Sequence, residues 1–278
     1  MSEVEASQND RDAPDYRLPL SACVEPPAPV CVSSAIAKGT DLTATRRTAR
    51  FAGLLYLVSS LPAPFALIDV PLQVFAEGDA AATAERIRAH ADLLRAGIAA
   101  AIVGGVLFIF VPLVLYRLFK PTSPGPALAM LVLILISFPI SLFSVVNQVA
   151  ALDLAGAGSG GGSPAAFAAL DAHQRDTLAY LALRLHHKQL MVAEIFWGMW
   201  LFPFGVCVMR SGFIPRILGV LLMIAGGGYV LDAFAELAYP QFAPLTERLT
   251  SVTNFCELPI ILWLQILGAR PQKTARLA

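Results

Sequence analysis

At 278 residues the chain could hold one or two soluble domains, but 56% of it is hydrophobic and only 14% charged, against about 25% charged in soluble proteins. Mean hydropathy is +0.66. Twenty Lys and Arg balance twenty Asp and Glu, so the composition excludes the basic surface by which nucleic acid is bound, and only the placement of the charges is informative.

Residues 1–45 are rich in Ala, Pro, Ser and charge without periodicity, which predicts a disordered cytoplasmic tail. Its start, MSEVEASQNDRDAPDY, lacks an apolar h-region and gives no sign of a cleavable signal. From Phe51 the character changes. Six apolar blocks follow, near 51–72, 93–116, 127–151, 189–209, 215–237 and 251–269, each close to the roughly 20 residues that carry a helix across a hydrocarbon core. The blocks show no period-2 alternation, and lipid offers backbone groups no water, so helices are the spanning form. The expected fold is all-α: a polytopic transmembrane helix bundle of six spans over 46–270.

Orientation follows from the Lys and Arg between spans. With the N-terminus cytoplasmic, thirteen fall inside and seven outside, which puts both termini on the cytoplasmic side of a cell membrane. The segment RSGFIPR (210–216) is then a cytoplasmic hairpin, with Ser211 and Gly212 ending the fourth helix and Pro215 starting the fifth.

The long extracytoplasmic loop, 152–188, opens with AGAGSGGGSP, a flexible linker by composition. Gly156, Gly158 and Gly161 match G-x-G-x-x-G only by chance in a Gly/Ser tract, since no strand precedes them. Ser163 and Pro164 read as an N-cap and first turn, and Phe167, Leu170, Leu178, Leu181 and Leu185 recur at helical spacing. They predict an amphipathic helix on the outer membrane surface; a helical extension of the fourth span is the alternative.

At RTARFAGLLYLV (47–58), LLRAGIAAAIVGGVLFIFVPLVLYRLFKP (93–121), LRLHHKQLMVAEIFWGMWLFPFGVCVMRSGFIPRILGVLLMIAGGGYVLD (183–232) and ELPIILWLQILG (257–268) the chain resembles the bacterial membrane family known as domain of unknown function 4386. The likeness covers about 47–269, and RSGFIPRILG with its following glycines is its most specific part. It implies a multi-helix integral membrane protein and carries over no catalytic residue.

Charges inside spans cost roughly 2.5–3.5 kcal/mol at the bilayer centre, so each merits a functional hypothesis. Asp232 lies sixteen residues beyond Arg216 and Glu194 sixteen from Arg210, which places both about 24 Å from the inner face; Glu257, counted from Arg270, comes near 20 Å. Amides, His186, His187 and Arg95 fall at or near the outer boundary by the same count. Inner halves hold apolar, Gly and Pro residues. The expected candidate site is therefore a polar cavity open to the outside in which Glu194, Asp232 and Glu257 converge with Arg95 or His187. Three carboxylates so close cannot all stay ionised without a cation or a proton. The plainer alternative is structural pairing and snorkelling at helix ends.

No metal is expected, because His187 and Glu194 stand alone without an H-E-x-x-H or comparable spacing. No cofactor is expected either. Cys23, Cys31, Cys207 and Cys256 form no C-x-x-C pair and read as unpaired thiols. Pro62, Pro64, Pro112, Pro139, Pro203 and Pro259 interrupt five blocks as kinks. The functions in competition are binding or movement of a small solute, proton or lipid, a structural or accessory membrane subunit, and, with least support, an intramembrane enzyme, for which no nucleophile–base spacing exists. Beyond the lipid bilayer itself, the expected partner is a small-molecule or lipid ligand.

Overall fold

Apolar runs of this length can satisfy their backbone groups only internally, and the chain does so with helices throughout. The computed structural model describes the backbone of residues 31–158 and 167–269 and side chains from residue 43. Six helices are long and apolar enough to cross a membrane: Thr43–Val74, Ala91–Phe119, Pro124–Leu154, Ala172–Ser211, Arg216–Ala238 and Pro240–Ile266. There is no strand among the described residues. The chain divides into two units, residues 1–38 and 39–278, and the second contains all six spans.

α1 (Cys31–Ser60) continues through Pro62–Pro64, a π-helical stretch Phe65–Asp69 and Val70–Val74. Its backbone is thus helical from Cys31, ahead of the tail boundary expected near 45; residues 1–30 of that tail lie outside the described residues. α2 (Ala80–Ala89) is a short helix capped by Asp79, whose carboxylate accepts from the Ala82 amide. α3 (Ala91–Phe119) and α4 (Pro124–Leu154) form a hairpin. α5 (Ala172–Ser211) and α6 (Arg216–Ala238) form a second, turned by Gly212 at φ 71°, the left-handed C-cap expected there. Pro215 is the residue before the fifth helix rather than its first. α7 (Ala243–Thr253), a 3₁₀ turn Asn254–Glu257 and α8 (Leu258–Ile266) make the sixth span.

Two expectations need correction. Among the described residues there is no separate amphipathic helix: α5 is continuous over 40 residues, because nothing between Asp171 and the fourth block breaks a helix. It starts at an Asp171–Gln174 capping box, so Phe167 and Leu170 precede it. Gly161, Ser163 and Pro164 lie outside the described residues. The prolines also divide differently: Pro112, Pro139 and Pro203 sit inside continuous helices, whereas Pro62 and Pro259 occupy first turns, where no amide is needed.

The spans pack in the order α1, α3, α4, α5, α6, then α7 with α8, which returns to α1. Glycines set the closest approaches. A Cβ on Gly198 would lie 2.6 Å from the Gly226 carbonyl oxygen, and one on Gly205 2.6 Å from that of Gly219, each reciprocally. Such small-residue seams are how membrane helices gain contact where lipid removes the hydrophobic drive. Gly53 does the same between α1 and α8, against the Gln265 backbone.

Two apolar clusters hold the ring. At the end bearing the turns 120–123 and 212–215, the hairpin end, Tyr56, Leu115, Phe119, Trp200, Phe204 and Leu264 belong to one buried core. Phe119 stacks on Phe213 and meets Phe204 edge-on, at 6.0 and 5.9 Å. At the distal end Val70, Ile87, Leu94, Leu152, Ala179 and Leu183 form a second.

Candidate functional site

Between these clusters lies a cavity of about 630 Å³, within the 300–1,000 Å³ of typical small-molecule sites. Its floor is aromatic and comes from three helices. Tyr56 meets Phe108 edge-on at 5.5 Å and Trp200 at 6.0 Å, while Phe108 and Trp200 stand 5.8 Å apart at 80°. Tyr56 is 2% exposed, so its hydroxyl has to find a partner inside the protein. It donates to Oε1 of Glu257, and the Tyr229 hydroxyl approaches Oε2 of the same carboxylate at 3.4 Å. Glu257 is thereby held between α1 and α6.

Glu194 and Asp232 line the same cavity, one helical turn from Trp197 and Tyr229 respectively, and Glu247 adds a fourth carboxylate at an exposed edge. Glu194 is 7% exposed, yet among the described residues no base or hydrogen-bond donor engages its carboxylate. α7 reaches this wall because Gly228 lets it come close: the Thr250 hydroxyl donates to the Gly228 carbonyl at 3.0 Å, and a Cβ on Gly228 would collide with Thr253.

The supply of donors and acceptors is lopsided. Every hydroxyl on the lining already donates within the protein. Ser59 and Ser60 donate to the Tyr56 carbonyl; Ser137, Ser141 and Ser144 to carbonyls of α4; and Ser251 to Arg248. His186 Nδ1 is 3.0 Å from the Ser144 carbonyl, an acceptor, and so donates as well. Among the described residues the Glu194 carboxylate is left without a donor, and Gln148 Oε1 and Asn254 Oδ1 are closed into the wall without a partner. Trp197, Trp200, Gln148 and Asn254 bring N–H groups to the same lining, so the imbalance is one of charge. The lining contains no Lys or Arg.

Three of the five residues singled out in the sequence thus share one cavity, and two do not. Arg95 donates to Asp92 at 2.8 Å and to the Ala157 carbonyl, beside a separate hollow next to Arg88 and Gly156. It lies in the second turn of α3, beside the loop after α4. His187 is 54% exposed and bonds Glu236 at 2.9 Å, which also accepts from Lys188 at 2.9 Å. Its neighbour His186, a helix step of 100° away, is the histidine that faces the cavity. Sequence reasoning missed Tyr56, Tyr229 and Glu247. The two tyrosines sit in apolar runs, where nothing in the local pattern separates an interior hydroxyl from an interfacial anchor. Glu247 precedes the apolar block expected from 251, but α7 extends that span back to Pro240. Among the described residues no group of three or more His, Cys, Asp or Glu stands close enough to hold a metal ion, so the acids share a room without sharing a point.

Comparison with known proteins gives the family and is silent on chemistry. The chain is similar, at 32% identity over 88 residues, to a protein from Archaeoglobus fulgidus described as "Uncharacterized protein"; the match takes in 32% of this chain and 51% of that one, about half its length. No solved structure matches. The family model described as "Domain of unknown function (DUF4386)" matches residues 51–268, which contain the second to sixth spans whole and most of the first, and the chain belongs to that family.

Proposed function

We propose that the protein binds a small organic cation in the cavity between its two apolar clusters. The observation that carries this is the lining itself: four carboxylates and an aromatic floor, with no Lys or Arg. A cation desolvated over aromatic faces gains about 0.5–2 kcal/mol per contact, and opposite charge in low dielectric adds to it. The spacing of the acids suits a ligand larger than a metal ion, since no three of them converge on one. The distal end, where Glu247 and Ser251 are exposed, faces the outside by the Lys and Arg asymmetry of the sequence. At the hairpin end the Phe119, Phe204 and Phe213 layer backs the floor, so the site is closed toward that end.

Two of the three tryptophans in the chain, Trp197 and Trp200, line the cavity, which gives a built-in reporter. Titrating the protein in lipid nanodiscs with methylammonium should produce a saturable change in tryptophan emission. Glu194→Gln should weaken binding at least tenfold, and acetate should produce no change. Equal responses to methylammonium and acetate, or an unaltered titration in Glu194→Gln, would refute the reading and leave a structural subunit as the better account.

A further inference from the structure

The acids occupy only one part of the cavity. A second part, reached past the aromatic floor, is apolar. On α3, Ala100, Ala101, Gly104 and Gly105 present almost no side chain to the cavity that Phe138 and Leu142 of α4 also line; Gly105 meets Phe138 and Gly104 meets Pro62 of the first span. The two glycines let the walls close in on the wing: Cβ atoms added at Gly104 and Gly105 would come within 3.3 Å of Pro62 and 3.2 Å of Phe138. This wing is also open at the surface of the bundle. Of its lining, Leu67 is 38%, Ile68 57%, Leu135 39% and Leu142 38% exposed. Leu135 and Leu142 lie eleven and eighteen residues into the 31-residue α4, about 17 and 27 Å along it. The surface at that height is in contact with hydrocarbon, not water.

Resting on the cation-binding reading above, we infer that the ligand is an amphiphile: a single-chain alkylammonium whose charged head lies among Glu194, Asp232 and Glu257 and whose chain fills the apolar wing, entering sideways from the bilayer. The head must bring N–H donors, because the Glu194 carboxylate has none among the described residues and Asp232 lines the same cavity. Each ammonium hydrogen then has an acceptor within the room. The chain must be apolar, because the wing offers only Ala, Gly, Phe, Leu, Pro and Ile surfaces beside serines whose hydroxyls are turned onto their own helix. A glycine-walled slot of this kind excludes a second chain and a bulky headgroup alike.

The test uses the full chain in nanodiscs, with empty nanodiscs subtracted, and a series of primary alkylammonium ions from methyl to octyl. Octanol and octyl sulfate serve as neutral and anionic chains of the same length. Affinity should rise with chain length, about fourfold for each methylene taken into the wing, the equivalent of ~0.8 kcal/mol per buried CH₂. Glu194→Gln should weaken the whole ammonium series, whereas Ala101→Leu should weaken octylammonium at least tenfold and leave methylammonium unchanged. Should Ala101→Leu fail to fold, Ala100→Leu fills the same wing from the neighbouring position. If methylammonium and octylammonium bind alike and both depend on Glu194, the cation reading stands and the amphiphile is wrong. If octyl sulfate binds as well as octylammonium, or no ammonium ion binds in a Glu194-dependent way, the head assignment fails and both proposals go with it.

Discussion

The seam between α5 and α6 gives the sharpest test of the packing. Substituting Gly205→Ala places a Cβ 2.6 Å from the Gly219 carbonyl oxygen and 2.9 Å from Met223 Cγ. Met223 can swing away, but the carbonyl is part of a helix backbone and cannot. The helices must separate by several tenths of an ångström, and the same gap then opens at Gly198 and Gly226. Overpacking of this kind costs about 1–3 kcal/mol, or roughly 2–12 °C in melting temperature for a domain of this size. Gly227→Ala is the internal control, one residue from the seam, with nothing within 4 Å of the added Cβ. It removes a helix-interior glycine and should be neutral or stabilising by up to ~1 kcal/mol. Heating purified protein with a thiol-reactive fluorophore reads both variants, because Cys207 in α5 is fully buried until the bundle opens. The doubly substituted Gly205→Ala, Gly219→Ala protein should lose less than the sum of the single losses, since one separation relieves both clashes. If Gly205→Ala melts with the parent, or Gly227→Ala falls by as much, close backbone approach does not hold this seam.

Tyr56→Phe removes a hydroxyl that donates to Glu257 and should cost about 1.5–3 kcal/mol, the range for hydrogen bonds to charged groups, read by the same thermal assay. Lys188→Met should change stability by under about 1 kcal/mol, because its partner Glu236 keeps His187 and both groups are partly solvated. Asp171→Ala dissolves the capping box of α5 and should cost about 1 kcal/mol, seen as faster hydrogen exchange confined to the first turns after Ala172. For sidedness, an impermeant maleimide should label Glu77→Cys in intact cells and Thr122→Cys only after permeabilisation; the reverse pattern would invert the orientation.

The sequence carried the spans because hydropathy over twenty residues is a summed signal that no single side chain can spoil. Helix rise converts residue number into height along the bundle, and Glu194, Asp232 and Glu257, matched in that count, line one cavity. Azimuth is harder. A helix advances 100° per residue, so a one-residue ambiguity separates His187 from His186, and Arg95 lies beside a different hollow at the distal surface. The tyrosine grip on Glu257 joins residues 201 positions apart and depends on which helices are neighbours, which a single chain's periodicity does not encode.

The two apolar clusters are not built from the same helices. The distal one draws on the end of the first span, α2, α3, α4 and α5, and among the described residues takes nothing from α6, α7 or α8. One side of the ring is therefore packed by an apolar cluster at both ends, while the side carrying Asp232, Glu247 and Glu257 is so packed only at the hairpin end and is held distally by the half-solvated bonds of His187 and Lys188 to Glu236. Elements with few buried apolar contacts at one end open at lower free energy than the whole. The wall that holds most of the charge is thus also the one that can swing, like a door hung at the floor, leaving the aromatic floor and the opposite wall in place.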